Sequence, residues 1–268
     1  MYARIDAAAA LLSNYDTEFI VAHVGSSAVI LRPYEAHADD VVITTGEAGL
    51  MPGGLHVSPG MFWAWSSLEA GSLLTIRTDA RAMAMFDRID LVLPQVCVDR
   101  EAVRLATCLF YDSRAGRDEF DWRERAVRIA QDAIAHAYER LEASVSSLVG
   151  RGPGSTPTGD DVLIGVCAAL SCTGHSKEST MIAALASNLS HRTTRSSRLF
   201  LRAAQDGRFA ERVHEMTSAF SSLSLTANVM KDAERWGATS GLDLAAGMLG
   251  GFATVRSRAR QSSAGRTA

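Results

Sequence analysis

The densest run of residues able to do chemistry lies between Gly150 and Asp161, where Gly152, Gly154, Thr156, Pro157, Thr158, Gly159, Asp160 and Asp161 fall almost side by side. Glycines let a backbone approach a ligand closely. Thr156 can cap a helix, and Pro157 fits its first position, where a missing N–H costs nothing. Backbone N–H groups at such a start, on the positive end of the helix dipole, suit a phosphate or a carboxylate. The run is not a Walker A loop: Gly-Lys-Ser/Thr is absent, and the chain has only Lys177 and Lys231 as lysines. Asp160 and Asp161 would repel an anion unless a cation or an arginine intervenes. An Asp at this position can carry Mg²⁺ that bridges to phosphate oxygens. The plainer reading is that both aspartates complement the dipole and bond to loop N–H groups, and the residues alone leave both readings open.

Two further polar clusters each precede an apolar segment. In the first, Thr193, Thr194, Arg195 and Ser197 combine hydroxyls with a guanidinium suited to carboxylate or phosphate. Its plainer reading is a solvated helix start capped by Thr193 or Thr194. In the second, Thr239 or Ser240 caps the last helix and Asp243 sits in its first turn. Gly247 and Gly251, four residues apart, suit close helix packing. The histidines form no His-x-x-x-His pair, and neither a Gly-x-Ser-x-Gly elbow nor a Cys/His nucleophile pair stands out, so metal ligation by histidine and covalent catalysis are not the leading chemistry.

The elements that position these residues divide the chain. From Glu18 to Leu93, short β-like runs at 19–23, 28–31, 40–44, 55–57, 73–77 and 89–93 alternate with turn residues such as Pro52, Gly53, Gly54, Pro59 and Gly60. Strands at that spacing predict a small barrel or sandwich, with Phe62, Trp63 and Trp65 in its core or at an interface. Beyond Pro94 the period changes to 3.6, and one long amphipathic helix is expected from Phe120 to Leu148, ending at Gly150. The segment 162–170 is apolar all round and reads as a central helix. Further helices follow near 179–189, 196–204, 210–223 and 242–255. The fold class is therefore α+β: a β-rich domain over 1–95, an α-helical bundle over 96–256 carrying the glycine-rich acidic loop, and a disordered tail over 257–268.

The composition excludes some functions. A chain of 268 residues with 47% hydrophobic and 21% charged residues is globular in type, and a formal net charge of −3 gives no support for a nucleic-acid surface. The cysteines at 97, 108, 167 and 172 lack Cys-x-x-Cys spacing and read as reduced, mostly buried thiols. The run 7–12 is too short for a signal peptide and reads as a short helix. The apolar stretches 162–170 and 244–255 are too short to cross a bilayer, so a cytoplasmic protein without membrane partners is expected.

Three patterns taken together resemble a known family. They are the loop from Gly152 to Asp161, then Thr193, Thr194, Ser197, Leu201, Ala204 and Gly207, then Gly237, Ser240, Gly241, Asp243 and Gly247. Their order and spacing are similar to those of the AllH-type subunit of oxamate carbamoyltransferase. The family's loop reads Gly-Leu-Thr-Pro-Ser-Gly-Asp-Asp, whereas Ser155 and Thr158 stand here in place of the Leu and the Ser. The resemblance implies a subunit of a multi-subunit enzyme of purine or allantoin nitrogen catabolism, which interconverts oxalurate and phosphate with oxamate and carbamoyl phosphate. Carried over by position, Gly152, Gly154, Thr156, Gly159, Asp160 and Asp161 would form the main ligand loop; on their own chemistry, Asp160 and Asp161 are the candidate catalytic residues, and either could orient a reacting amide or hold Mg²⁺. Thr193, Thr194 and Ser197 would supply the hydroxyls of a second wall, beside which Arg195 is a candidate ligand group on the chemistry of its guanidinium, and Ser240 and Asp243 would form a third. Two rival readings are a non-catalytic assembly or regulatory subunit and a stand-alone Mg²⁺-dependent enzyme acting on a small phosphate ester or amide.

Overall fold

The computed structural model describes residues 3–6, 17–34, 40–76, 87–114, 121–237 and 239–264. The run 7–12 lies outside them. The chain forms two compact units, one of residues 1–92 with 208–212, the other of residues 93–207 with 213–268.

The first unit is built on one mixed seven-stranded sheet. Its strands are β1 (Ala3–Asp6), β2 (Thr17–Val24), β3 (Ala28–Pro33), β4 (Val41–Thr45), β5 (Leu55–Val57), β6 (Leu73–Ile76) and β7 (Asp87–Ile89), in spatial order β6-β2-β3-β4-β5-β1-β7. Most neighbours are antiparallel, but β4 pairs with β5 and β1 with β7 in parallel. Among the described residues β6 and β7 do not pair with each other, so the sheet is open, and it is single. That corrects the barrel or sandwich expected from strand spacing, which counts strands without fixing their partners. Alternation sends Phe19, Val21, Val29, Leu31, Leu55 and Val57 to one core, while all of β4 is buried at the centre of the sheet.

Helix α1 (Pro59–Ser66) covers that core with Phe62. Pro59 and Gly60 open this helix instead of closing a turn, because Pro at the first helical position presets φ and lacks only an N–H that would be unbonded anyway. Of the neighbouring aromatics, Trp65 packs against the core and Trp63 is 74% exposed. The segment Arg208–Arg212 returns to this unit from far along the chain. Phe209 N–H donates to Leu91 O (2.9 Å), Glu211 N–H to Leu50 O (2.9 Å), and Leu50 N–H to Glu211 Oε2 (2.9 Å). Arg4 also pairs with Glu211. Burial works to raise the Glu211 pKa, but the bonds from Arg4 and Leu50 outweigh it and hold the carboxylate below its ordinary range.

The helical elements are α2 (Arg100–Arg114), α3 (Trp122–Ile134), α4 (Tyr138–Leu148), α5 (Thr158–Cys172), α6 (Ser176–Asn188), α7 (Arg195–Gln205), α8 (Glu211–Phe220), α9 (Leu223–Ala233) and α10 (Ser240–Ala264). The single helix expected over 120–148 is two. His136 takes a left-handed φ of 53°, its N–H donates to Ala133 O, and Ala137 N–H reaches back to Asp132 O, which is a Schellman ending with histidine in the role usually given to glycine. Apolar periodicity continues across this break and so conceals it. A helix over 210–223 was expected, whereas α8 stops at Phe220 and a separate α9 follows. The last helix continues from the expected 255 to Ala264, over part of the segment read as a tail. Helix α5 is buried along its whole length, as its apolar composition requires.

Helices α5 and α10 cross at glycines. A Cβ on Gly247 would stand 2.1 Å from Val162 O, and one on Gly165 would stand 2.2 Å from Leu244 O. No side chain fits there, so the two backbones are in direct contact. Cys167 and Cys172 are buried, and burial pushes both thiols up to about 12, which leaves them inert. Cys97 and Cys108 are exposed, contrary to the expectation of mostly buried thiols. Among the described residues, no helix is long and apolar enough to cross a membrane.

Candidate functional site

The three polar clusters meet in the second unit, at the starts of α5, α7 and α10. The loop begins where α4 ends: Gly150 adopts φ 73°, and Arg151 N–H donates to Leu148 O (2.8 Å). Gly150 is required there by space as well as by φ, since a Cβ would lie 2.0 Å from Arg192 O. Gly152 and Gly154 follow with φ of 112° and 96°, both exposed. Pro157 then stands just ahead of α5.

Thr156 does not cap α5, contrary to expectation. The helix starts two residues later without a side-chain cap, and the Thr156 hydroxyl bonds to Ser240 Oγ at 2.8 Å. The amides at the start of α5 are also committed: Gly159 N–H donates to Arg151 O (2.8 Å), and the N–H groups of Asp160 and Asp161 donate to Pro157 O (2.9 and 3.2 Å). The anion cradle imagined from these amides is therefore closed by the chain itself. Gly159 is packed tightly enough that a Cβ would sit 2.0 Å from Leu148 O.

Asp160 is fully buried and joins the first cluster to the second. One carboxylate oxygen accepts Gly150 N–H at 2.9 Å, and the other accepts the Thr193 hydroxyl. Burial raises its pKa, while the bonds from Thr193, Gly150 and Ser197 favour the charged form. Thr194 caps α7 by accepting Ser197 N–H (3.2 Å), as expected, and its own hydroxyl donates to Ser155 O (2.5 Å). Ser197 is fully buried, and Arg195 is half-buried in the first turn of α7.

Asp161 belongs to a different neighbourhood. It is 7% exposed, and its Oδ2 is buried without a hydrogen-bond partner. Burial pushes its pKa well up; the Ser240 and Thr156 hydroxyls work the other way, and the charge of Asp243 adds to the rise. Asp243 is fully buried in the first turn of α10, as expected. Among the described residues, no group of three or more His, Cys, Asp and Glu side chains is arranged to hold a metal. Both Asp160 oxygens already accept hydrogen bonds and the two aspartates have separate partners, so a Mg²⁺ ion shared by Asp160 and Asp161 does not fit.

All the residues singled out in the three clusters thus lie at or beside these helix starts, and specific bonds tie the clusters together: Asp160 with Thr193, Thr194 with Ser155, and Thr156 with Ser240. Sequence reasoning missed two backbone participants, Gly150 N–H and Ser155 O. Gly150 carries only the signature of a helix cap, and a carbonyl acceptor leaves no trace in residue type.

Residues 148–252 match the family model described as oxamate carbamoyltransferase subunit AllH. This segment is similar to the AllH family. It begins at the last residue of α4 and runs into α10, so it contains every residue of the three clusters. The AllH description names a subunit, which implies an enzyme of several chains. No curated protein and no solved structure matches the chain.

Proposed function

We propose that this protein is the AllH-type subunit of an oxamate carbamoyltransferase-like complex and that the junction of α5, α7 and α10 faces the ligand. The observation that carries the reading is the coincidence of the family match with the three bonded clusters. In the reaction, a phosphate oxygen attacks the ureido carbonyl carbon of oxalurate. The bond from that carbon to the oxamate nitrogen breaks, the nitrogen takes up a proton, and carbamoyl phosphate and oxamate leave. Such a step needs donors aimed at the charge that develops on the attacked oxygen and on phosphate.

The exposed backbone at Gly152 and Gly154 and the Arg195 guanidinium are the groups we assign to that task. Thr193, Thr194 and Asp160 are positioning residues, because their side chains are spent on one another and on Gly150, Ser155 and Ser197. That commitment favours the plainer reading of Asp160 as a clasp over a catalytic role. The complex assembled from this chain and its partner subunits should form carbamoyl phosphate from oxalurate and phosphate. Arg195→Gln should lower kcat/KM by about tenfold or more, with thermal unfolding unchanged. Equal rates with the chain omitted would leave only an assembly role or none, and full activity of Arg195→Gln would remove Arg195 from the site.

A further inference from the structure

Guanidinium groups gather where α3 meets the end of α4. Arg125 and Arg128 are three residues apart in α3 and share one of its faces. Arg125 Nη1 donates to Ser147 Oγ at 3.3 Å, and that hydroxyl donates to Ser144 O at 2.7 Å, so the guanidinium is held at the last turn of α4. Arg151 is tied to the same turn: its N–H donates to Leu148 O and its carbonyl accepts Gly159 N–H, both at 2.8 Å. Burial and then the positive charges of Arg151 and Arg128 lower the pKa of Arg125, the direction expected of a cation in a positive field. Two local features offset part of this charge. Glu124 stands one turn before Arg128 on α3 and answers that residue. The end of the α4 dipole supplies about half a negative charge, too little to balance both Arg125 and Arg151. Glu142, the nearest acid of α4, lies more than a turn behind Ser147. Arg125 is half-buried, and Arg151 is exposed and followed directly by the exposed backbone of Gly152.

We propose that Arg125 and Arg151, with the Gly152 amide, form a binding site for a phosphate dianion, either the free ion or the phosphoryl group of a small ester. Guanidinium forks match phosphate oxygens two at a time, and two of them match a double negative charge. Ser147 is a positioning residue of this site, since its oxygen orients Arg125. The site does not depend on the carbamoyltransferase reading. It is tested on the chain alone, without partner subunits or oxalurate, and a complex that failed to make carbamoyl phosphate would sink that reading and leave this site standing.

The test is calorimetric titration and thermal unfolding of the full chain with inorganic phosphate, methyl phosphate or acetate, near pH 7.5 and with ionic strength held by sodium chloride. Saturable one-to-one binding of phosphate, with a raised Tm and little response to acetate, is the expected result. Methyl phosphate binding as tightly as phosphate assigns the site to the phosphoryl group of an ester, whereas binding of phosphate alone assigns it to the free ion. Arg125→Gln and Arg151→Gln should each weaken binding about tenfold. Arg151 is exposed, so its variant serves if Arg125→Gln fails to fold. Arg140→Gln, at a residue paired with Asp132, should leave the affinity unchanged. Absence of saturable phosphate binding, unchanged affinity in the folded Arg151→Gln chain, or an equal loss in Arg140→Gln overturns the proposal.

Discussion

Asp160 and Asp161 follow each other in the first turn of α5, share a residue type and are both buried, yet their surroundings differ. Successive helical residues point about 100° apart. One carboxylate therefore meets the loop and Thr193 at the start of α7, and the other meets Ser240 and Asp243 at the start of α10. Asp160 has an N–H or O–H donor for each oxygen, whereas Asp161 has an oxygen with none. A pair that looks like one motif is two devices, the first closing the loop and the second burying a carboxyl oxygen that has no hydrogen-bond donor. Paired acids in a sequence do not imply a shared ligand.

Substitutions at the junction can break this contrast. The largest effect is expected at Gly159→Ala, which forces a Cβ to 2.0 Å from Leu148 O and disturbs both aspartates. Denaturant unfolding should show a loss of about 3 kcal/mol, the upper end for overpacking. Asp160→Ala strands Gly150 N–H and the Thr193 hydroxyl, and should cost about 2 kcal/mol. A loss within experimental error there would remove the clasp.

Asp161→Asn should behave in the opposite sense. Its pKa is raised in the fold, so the stability it contributes is complete below the unfolded carboxyl range and is lost as pH rises through the folded value. The wild type should therefore lose stability relative to Asp161→Asn as pH rises from about 4. The slope should be at most about 1.4 kcal/mol per pH unit. A difference that is constant with pH would make the two aspartates alike. The smallest effect is expected at Ser240→Ala, which deletes the hydrogen bond to Thr156 and should cost about 1 kcal/mol.

Much of the junction was legible because its residues are special for local reasons. A glycine at a helix end, a threonine before an apolar run and an acid in a first turn each have one-dimensional signatures, and Gly150, Thr194 and Asp243 have the roles those signatures implied. Thr156 was misread because a local capping partner and a partner far along the chain demand the same hydroxyl. The α+β division was legible from the change of period, but the open sheet was not. Parallel pairing of β4 with β5, and β1 as a strand beside β7, depend on contacts that alternation does not encode. The break at His136 escaped because its neighbours keep the helical period and histidine is an unusual residue for a left-handed cap.

The return of Arg208–Arg212 to the first unit bears on how the protein is born. Glu211 supplies the partner of Arg4 and both of the bonds it makes with Leu50, and Phe209 bonds to Leu91. Domains usually fold in the order of synthesis, N-terminal first. Here the strands of the sheet are all made before α2, yet the first unit cannot be completed until residue 212 has also left the ribosome, by which time α2 to α7 are already outside.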